Sequence, residues 1–140
     1  MQGDKKDQQI IGLLQENARL SIREIAKKLK LRPSTVHVRL TKLKEKKIIE
    51  KYTVKLNNEA VSESFIVFIL IATEQIIPNS AFHHKNIKEV FGITGEYDLL
   101  MKCKFKDIIE FNEFLLEFRK KYGLKKTLTQ IATINLKEEM

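Results

Sequence analysis

The stretch from Ser21 to Ile49, SIREIAKKLKLRPSTVHVRLTKLKEKKII, strongly limits the folds open to this chain. Ser21 and Glu24 have the spacing of a capping box, in which each side chain binds the other residue's backbone amide, so a helix is predicted to begin here. Pro33 suits the first position of a further helix, because that position needs no N–H donor. Apolar residues then recur at helical spacing on both segments: Ile22, Ile25, Ala26 and Leu29, followed by Val36, Leu40 and Leu43. The stretch predicts two short amphipathic helices joined by a tight turn, the pattern of a helix-turn-helix.

An earlier helix and an uneven distribution of charge extend this interpretation. Asp4 can cap a helix that carries Ile10, Ile11, Leu13 and Leu14 on one side. Residues 1–57 contain 15 Lys and Arg against 6 Asp and Glu, a net charge of +9, whereas residues 58–140 have a net charge of −1. We therefore expect a polyanion, most often nucleic acid, to bind the first part of the chain only.

The third predicted helix has an outward face suited to a DNA groove. At 100° per residue, Ser34, Val38, Thr41 and Glu45 point away from its apolar stripe. Ser, Thr and Arg can contact base edges, and Val can contact a thymine methyl group. We expect base discrimination at Ser34, Thr35, Val38 and Arg39, with Lys42 on phosphate. The full predicted DNA-binding set is Arg32, Ser34, Thr35, His37, Val38, Arg39 and Lys42. A basic helix that is merely solvated is the alternative.

The second half has the pattern of a small mixed domain. Ile48 to Asn57 alternates like a connecting strand, and the apolar run Phe65 to Ala72 predicts a strand buried on both faces. The remaining predicted elements are a short helix within Asn79 to Asn86, strands over Ile87 to Thr94 and Tyr97 to Phe105 around a Gly95-Glu96 turn, a long helix from Asp107 to Gly123, and a last strand over Lys126 to Leu136.

These elements predict an α+β protein with a ferredoxin-like βαββαβ second domain, whose helices lie on one face of the sheet. Leu99, Met101, Cys103 and Phe105 share one face of their strand, and Ile108, Phe111, Leu115, Phe118 and Tyr122 form the core stripe of the long helix. The other sheet face is half apolar, and a second copy of the chain is its simplest cover. The predicted boundaries are 1–50 for a DNA-binding domain, 51–63 for a connector and 64–140 for a ligand-binding and dimerisation domain.

Several classes of protein fit the sequence poorly. A single cysteine permits no intrachain disulfide, and no signal-peptide or membrane-spanning segment is present, so we expect a soluble, cytoplasmic protein without membrane contact. There is no Gly-rich phosphate loop, Cys-x-x-Cys or His-x-x-x-His, and we expect neither an enzyme nor a cofactor. A metal-sensing repressor using His83 and His84 is a less favoured alternative.

The order of these motifs resembles the Lrp/AsnC, or feast/famine, family of transcription regulators. The segments carrying the resemblance are DKKDQQIIGLLQENARLSIREIAKKLKL, STVHVRLTKLKEKKII, YTVKLN, TGEYDLL and YGLKKTLTQI. It implies a winged-type helix-turn-helix joined to a ferredoxin-like domain that dimerises, often assembles into octamers and binds a small amino-acid effector. Lys30-Leu31-Arg32 stands where the family commonly has Gly-Leu-Ser, so a residue tolerant of positive φ and the usual N-cap are both replaced, at a cost of about 1 kcal/mol each. Lys47 likewise replaces a usual Gly.

An effector site is predicted at the hairpin before the second domain's third strand, near the last strand and a subunit boundary. Gly95 permits close approach of a ligand, and exposed hairpin amides can bind a carboxylate. Asp98 can hold an ammonium group, while Thr127 and Thr129 are expected to offer hydroxyls on the helix-free face. The predicted effector-binding set is Gly95, Glu96, Tyr97, Asp98, Thr127 and Thr129; an Asp98 that only caps backbone amides is the alternative. The alternative function is that of a DNA-binding homodimeric regulator without a ligand.

Overall fold

The computed structural model describes residues 3–139 and divides into two compact units, Met1–Val54 and Lys55–Met140. In its described residues the first unit is helical, with α1 over Lys5–Glu16, α2 over Ile22–Leu29 and α3 over Pro33–Glu45. Its buried core contains Ile10, Leu14, Ile25, Ala26, Val36 and Leu43, which come from all three helices as the apolar spacing predicts. No helix among the described residues is long and apolar enough to cross a membrane.

The helix ends in this unit follow the local chemistry of the sequence. Ser21 and Glu24 form the predicted capping box, with the Glu24 amide donating to Ser21 Oγ at 3.1 Å. Asp4 caps α1, and Pro33 opens α3. Lys30 and Lys47 both adopt left-handed backbone conformations, with φ of 55° and 56°, as expected where a Gly is usual. Arg32 precedes α3 without making a side-chain capping bond, which also agrees with the sequence.

The second unit is a four-stranded antiparallel sheet with one long helix on one face. Its strands are β1 over Phe65–Ala72, β2 over Ile87–Gly92, β3 over Leu99–Phe105 and β4 over Lys126–Ile131, and α4 spans Ile108–Tyr122. The strand order β2-β3-β1-β4 is that of the predicted ferredoxin-like fold. The predicted short helix is a five-residue 3₁₀ segment, Asn79–His83. Asp107 caps α4 by accepting from the Glu110 amide, and Gly123 ends it with φ of 55°.

The strand predicted over Ile48 to Asn57 is not observed. Residues 50–57 lie outside the sheet, and the side chains of Tyr52, Val54 and Leu56 are exposed. Alternating apolar residues stabilise a strand only when a neighbouring strand accepts its hydrogen bonds, and none of the described strands does so here. The last strand is likewise shorter than predicted, since it ends at Ile131 instead of Leu136.

The register corrects the predicted faces of two strands. Thr127 and Thr129 lie opposite Ile71 and Ile69 of β1, whose side chains are buried in the core under α4. Directly opposed residues in antiparallel strands share a face, so both threonines lie on the helix side and the prediction of a helix-free position was wrong. The alternation of a strand separates two faces but does not identify which face meets the helix.

Two predicted core assignments also differ. Strand β1 is not buried on both faces, because Phe68 and Leu70 on the helix-free side remain partly exposed. Ile108 at the first turn of α4 is 58% exposed, whereas Phe114, which the predicted stripe omitted, is buried. Phe114 stacks with Phe105 and Phe118, with ring centroids 5.2 and 5.4 Å apart, so aromatic packing widens the buried stripe of α4.

Candidate functional sites

The outward face of α3 carries the groups predicted to contact DNA. Ser34, His37 and Val38 are exposed, and Val38 keeps 49% of its surface accessible although it is apolar. Arg32 precedes the helix and is exposed, as is Lys42 in its last turns, while Thr35 is half-buried. An exposed valine among hydroxyls and cations gives this face both apolar and hydrogen-bonding groups, which base edges in a major groove require.

An open cleft of about 580 Å³ borders this face. One side is formed by residues at the start of the chain, and the other by α3 and the segment after it. Its lining comprises Gly3, Asp4, Asp7, Ser34, Thr35, Val38, Arg39, Lys42, Leu43, Lys46 and Ile48. The structure therefore brings together five of the seven predicted DNA-binding residues around one concave surface, together with two carboxylates that were not among them.

Arg39 is held by those two carboxylates. Its Nη1 donates to Asp4 Oδ1 and Oδ2 at 2.8 and 2.7 Å and to Asp7 Oδ1 at 3.1 Å. The hydrogen bond from Arg39 lowers the pKa of the Asp4 carboxyl, and the hydrogen bonds that Arg39 donates to Asp4 and Asp7 raise the pKa of its guanidinium. These partners lie 32 and 35 residues away in sequence. No local motif indicates such a contact, so sequence reasoning missed it.

Most predicted effector-binding residues lie around the end of β1. The Asp98 amide donates to the Ile71 carbonyl at 2.8 Å, and Thr127 pairs with the same residue on the other side. Gly95 has φ of +108°, with open space where a Cβ would project. Thr129 is half-buried one pair further along β4, opposite Ile69. The hairpin and the start of β4 therefore lie close together, as the sequence predicted, although Thr127 and Thr129 lie on the helix side of the sheet.

Several polar groups in this region already have partners within the chain. Asp98 Oδ2 accepts from the Thr73 amide at 2.9 Å. Glu96 pairs with Lys126, whose ammonium also lies 5.1 Å from the centre of the Tyr97 ring. Thr127 Oγ1 accepts from Arg119 Nε at 3.1 Å. A ligand here would bind beside these contacts or replace them.

A second polar cluster, which sequence reasoning did not identify, lies on the helix-free face of the sheet. The Glu138 carboxylate accepts hydrogen bonds from Lys104 Nζ and Asn58 Nδ2, both at 3.0 Å, and its Oε2 forms an ion pair with Lys102 Nζ at 2.6 Å. Burial acts to raise the pKa of Glu138, but the interactions with Lys102, Asn58 and Lys104 outweigh it and lower the pKa to about 2. The cluster joins β3 to two segments without regular structure, so no periodicity could predict it.

The metal-sensing alternative gains no support from these residues. Across residues 3–139, no group of three or more His, Cys, Asp and Glu side chains is arranged to hold a metal ion. His84 Nδ1 accepts from the Asn86 amide at 3.2 Å. Cys103 is buried in the sheet core, and burial raises the pKa of its thiol to about 12.

Comparison with known proteins agrees with this architecture. Residues 4–44 match the AsnC-type helix-turn-helix domain, and residues 79–140 match the Lrp/AsnC ligand binding domain. An HTH-type transcriptional regulator of Pyrococcus furiosus is 34% identical, over 99% of this chain and 97% of its own length. The HTH-type transcriptional regulator FL11 of Pyrococcus abyssi is also 34% identical, over 96% of this chain and 92% of its own.

Solved structures show the same fold. The transcriptional regulator NMB0573 of Neisseria meningitidis, crystallised as an L-Met complex, superimposes with a TM-score of 0.89 at 26% identity, covering 97% of this chain and 93% of that one. LrpC of Bacillus subtilis, at 22% identity, gives a TM-score of 0.86 and covers 99% of this chain and all of its own. Sequence, fold and domain order agree: the chain belongs to the Lrp/AsnC family and is a transcriptional regulator with a helix-turn-helix DNA-binding domain.

Proposed function

We propose that this regulator binds a pseudo-palindromic duplex as a homodimer, with α3 of each subunit in a major groove, and that a small amino acid modulates binding. The observation that carries the proposal is the exposed face of α3 within a half of the chain whose net charge is +9. Ser34, Thr35 and Val38 are the proposed base-contacting residues. Arg32, His37 and Lys42 would bind the phosphate backbone, which fixes position without reading sequence.

Salt titration tests the proposed DNA binding. A protein that neutralises phosphates releases counterions, so affinity for a duplex should fall by orders of magnitude as salt rises from roughly 50 to 200 mM. Fluorescence anisotropy of a labelled duplex measures this slope directly. Lys42→Ala should make the slope shallower by about one unit, whereas Lys120→Ala on α4 should leave it unchanged. An affinity that is constant over this range would contradict the proposal.

A selected binding site tests base reading separately. Val38→Ala should weaken binding more on a selected duplex than on random DNA, because only the correct site presents the matching base edge. Equal losses on both duplexes would show that Val38 does not discriminate bases. A two-fold dimer should select half-sites about one helical turn, or roughly 34 Å, apart.

The sheet supports the homodimer. Phe68, Leu70 and Leu100 lie partly exposed on the helix-free face, beside Phe91 at 55% and Leu128 at 42% exposure. A second sheet packed against this face would bury the row of apolar side chains that lies beside the Glu138 cluster. The same face on both subunits makes the contact self-complementary, as a two-fold axis requires.

The effector proposal rests on the ligand-binding domain and on a relative. The N. meningitidis regulator has been crystallised with L-Met, and an amino acid offers both a carboxylate for backbone amides and an ammonium for Asp98. We place the site at Gly95, Glu96, Tyr97 and Asp98, with Thr127 and Thr129 beside them.

Thermal shift with the twenty amino acids, L-Met among them, tests the site. Asp98→Asn retains an oxygen for the Thr73 amide but removes the charge that would hold the ammonium. The variant should keep the wild-type melting temperature and lose the shift that the amino acid induces. If the shift survives in Asp98→Asn, the ligand binds elsewhere; if no amino acid shifts the wild type, the regulator does not sense one.

A further inference from the structure

The start of α1 carries two carboxylates that the helix itself requires. Asp4 Oδ1 accepts from the Asp7 amide at 2.9 Å, and Asp7 Oδ2 accepts from the Asp4 amide at 3.4 Å, forming a reciprocal capping box. Acidic side chains stabilise a helix N-terminus because they bind its unpaired amides and complement the helix dipole. The two charges are therefore explained by the folding of α1, without reference to DNA.

The same two carboxylates lie where a DNA-binding surface should not be negative. Asp4 and Asp7 line the cleft that Ser34, Thr35 and Lys42 line from α3. Charges within about 8 Å of one another are little screened at physiological salt. Uncompensated, the carboxylates would repel phosphates bound along α3 whatever the base sequence.

Arg39 provides the compensating charge at that point. All three of its hydrogen bonds to Asp4 and Asp7 leave from Nη1, at 2.7 to 3.1 Å. Its side chain is 28% exposed, between the values of 57% for Asp4 and 19% for Asp7, so the surrounding residues cover most of it. Contact with a guanine would have to compete with three short charge-assisted bonds already in place.

We infer that Arg39 is a positioning residue that offsets one of the two negative charges of the α1 capping carboxylates beside the DNA-reading face and holds the start of α1 against α3. This inference rests on the proposed DNA binding and changes the role first expected for Arg39. Base reading then falls to Ser34, Thr35 and Val38. The arrangement lets α1 keep an acidic cap at the edge of a surface that must attract a polyanion.

A charge-rescue series tests the inference on the full-length protein. Arg39→Ala exposes two uncompensated carboxylates, so affinity should fall roughly tenfold on selected and random duplexes alike. Adding Asp4→Asn and Asp7→Asn should restore most of the loss, because Asn keeps an oxygen for the helix cap but has no charge to repel phosphate. Lys120→Ala, which removes a positive charge from α4, is the control and should bind as the wild type does.

Three results would overturn the inference. If the triple variant binds no better than Arg39→Ala, Arg39 contacts DNA itself. If the Arg39→Ala loss is confined to the selected duplex, Arg39 reads bases. If thermal unfolding shows a lower melting temperature while the affinity of the folded protein is unchanged, the contact is only structural. Wild-type binding in the same titration tests the proposed function separately, since its absence would be seen before any variant is compared.

Discussion

At the scale of single residues, Lys30 and Lys47 occupy conformations that favour glycine. The Leu31 amide donates to the Ala26 carbonyl after α2, and the Ile48 amide donates to the Leu43 carbonyl after α3, both at 2.9 Å. Each is the six-to-one bond of a Schellman motif, whose penultimate residue is left-handed. A side chain there costs about 1 kcal/mol relative to Gly. Two lysines at such positions suggest that positive charge is retained for binding at the expense of stability.

Glycine substitutions should separate stability from affinity. Lys30→Gly and Lys47→Gly should each raise the free energy of unfolding by about 1 kcal/mol, because strain at φ near 55° is relieved. Each should also make the slope of DNA affinity against salt shallower by about 0.9, if the lysine binds phosphate. Urea unfolding and anisotropy measure the two effects.

Lys27→Gly is the matched control for this pair. It removes the same charge from α2 at a right-handed position, so it should lower the free energy of unfolding by about 1 kcal/mol. If Lys30→Gly destabilises the protein as Lys27→Gly does, the left-handed lysines are not strained.

Local chemistry explains which residues of the first unit could be predicted. Caps, the proline at the start of α3 and the two left-handed lysines depend on neighbours within a few residues, and the structure contains all of them. The Arg39 cluster depends on how α1 and α3 pack. Its partners have no fixed spacing from Arg39 along the chain, so the sequence could not predict these contacts.

At the scale of elements, the periodicity of apolar residues predicted which segments form strands and helices better than it predicted which face of the sheet their side chains occupy. The type and order of β1 to β4 and α4 follow the predicted pattern, and the buried residues of β3 are those expected to share a face. The side of the sheet that Thr127 and Thr129 occupy was set by register with β1, which is a long-range property. The connecting strand was predicted wrongly for a related reason: its apolar residues alternate, but no strand among the described residues pairs with this segment.

The Glu138 cluster predicts a distinct acid response. A carboxyl pKa lowered from 4.5 to about 2 stabilises the fold above pH 4.5, and this contribution disappears as the pH falls toward 2. Glu138→Gln should therefore lower the free energy of unfolding by roughly 1–3 kcal/mol at pH 7, with the difference shrinking below pH 4.5. Urea unfolding across pH 2 to 7 measures it.

Glu139 offers the matched control for that experiment. Its side chain is 78% exposed, and its contact with Lys137 is 3.6 Å long. Exposed pairs of this kind contribute little, so Glu139→Gln should follow the wild-type curve at every pH. A Glu138→Gln protein that also follows the wild-type curve would show that the buried cluster does not stabilise the sheet.

At the scale of the whole molecule, one face of the sheet is covered by α4 and the other is free of helices, and we expect two copies of the chain to associate through the helix-free face. Leu128→Glu introduces a charge into the helix-free face proposed for the dimer, so the variant should sediment as a monomer and lose affinity for a two-half-site duplex. Leu116→Glu, on the exposed side of α4, is the control and should remain dimeric. Sedimentation velocity distinguishes them, and a dimeric Leu128→Glu protein would exclude this face from the interface.

Because the Cys103 thiol is buried, its rate of alkylation can be used to follow the opening of the second unit. It is the chain's single cysteine, and a protected thiol with a pKa near 12 reacts slowly with alkylating reagents while the sheet stays closed. Modification must then await opening of the strands around it, so the labelling rate in the intact chain reports the opening equilibrium of that half. The DNA-binding half has no thiol, so its unfolding does not contribute to the labelling rate. Any ligand that stabilises the sheet against opening would lower the rate of Cys103 alkylation, whether or not it alters DNA binding.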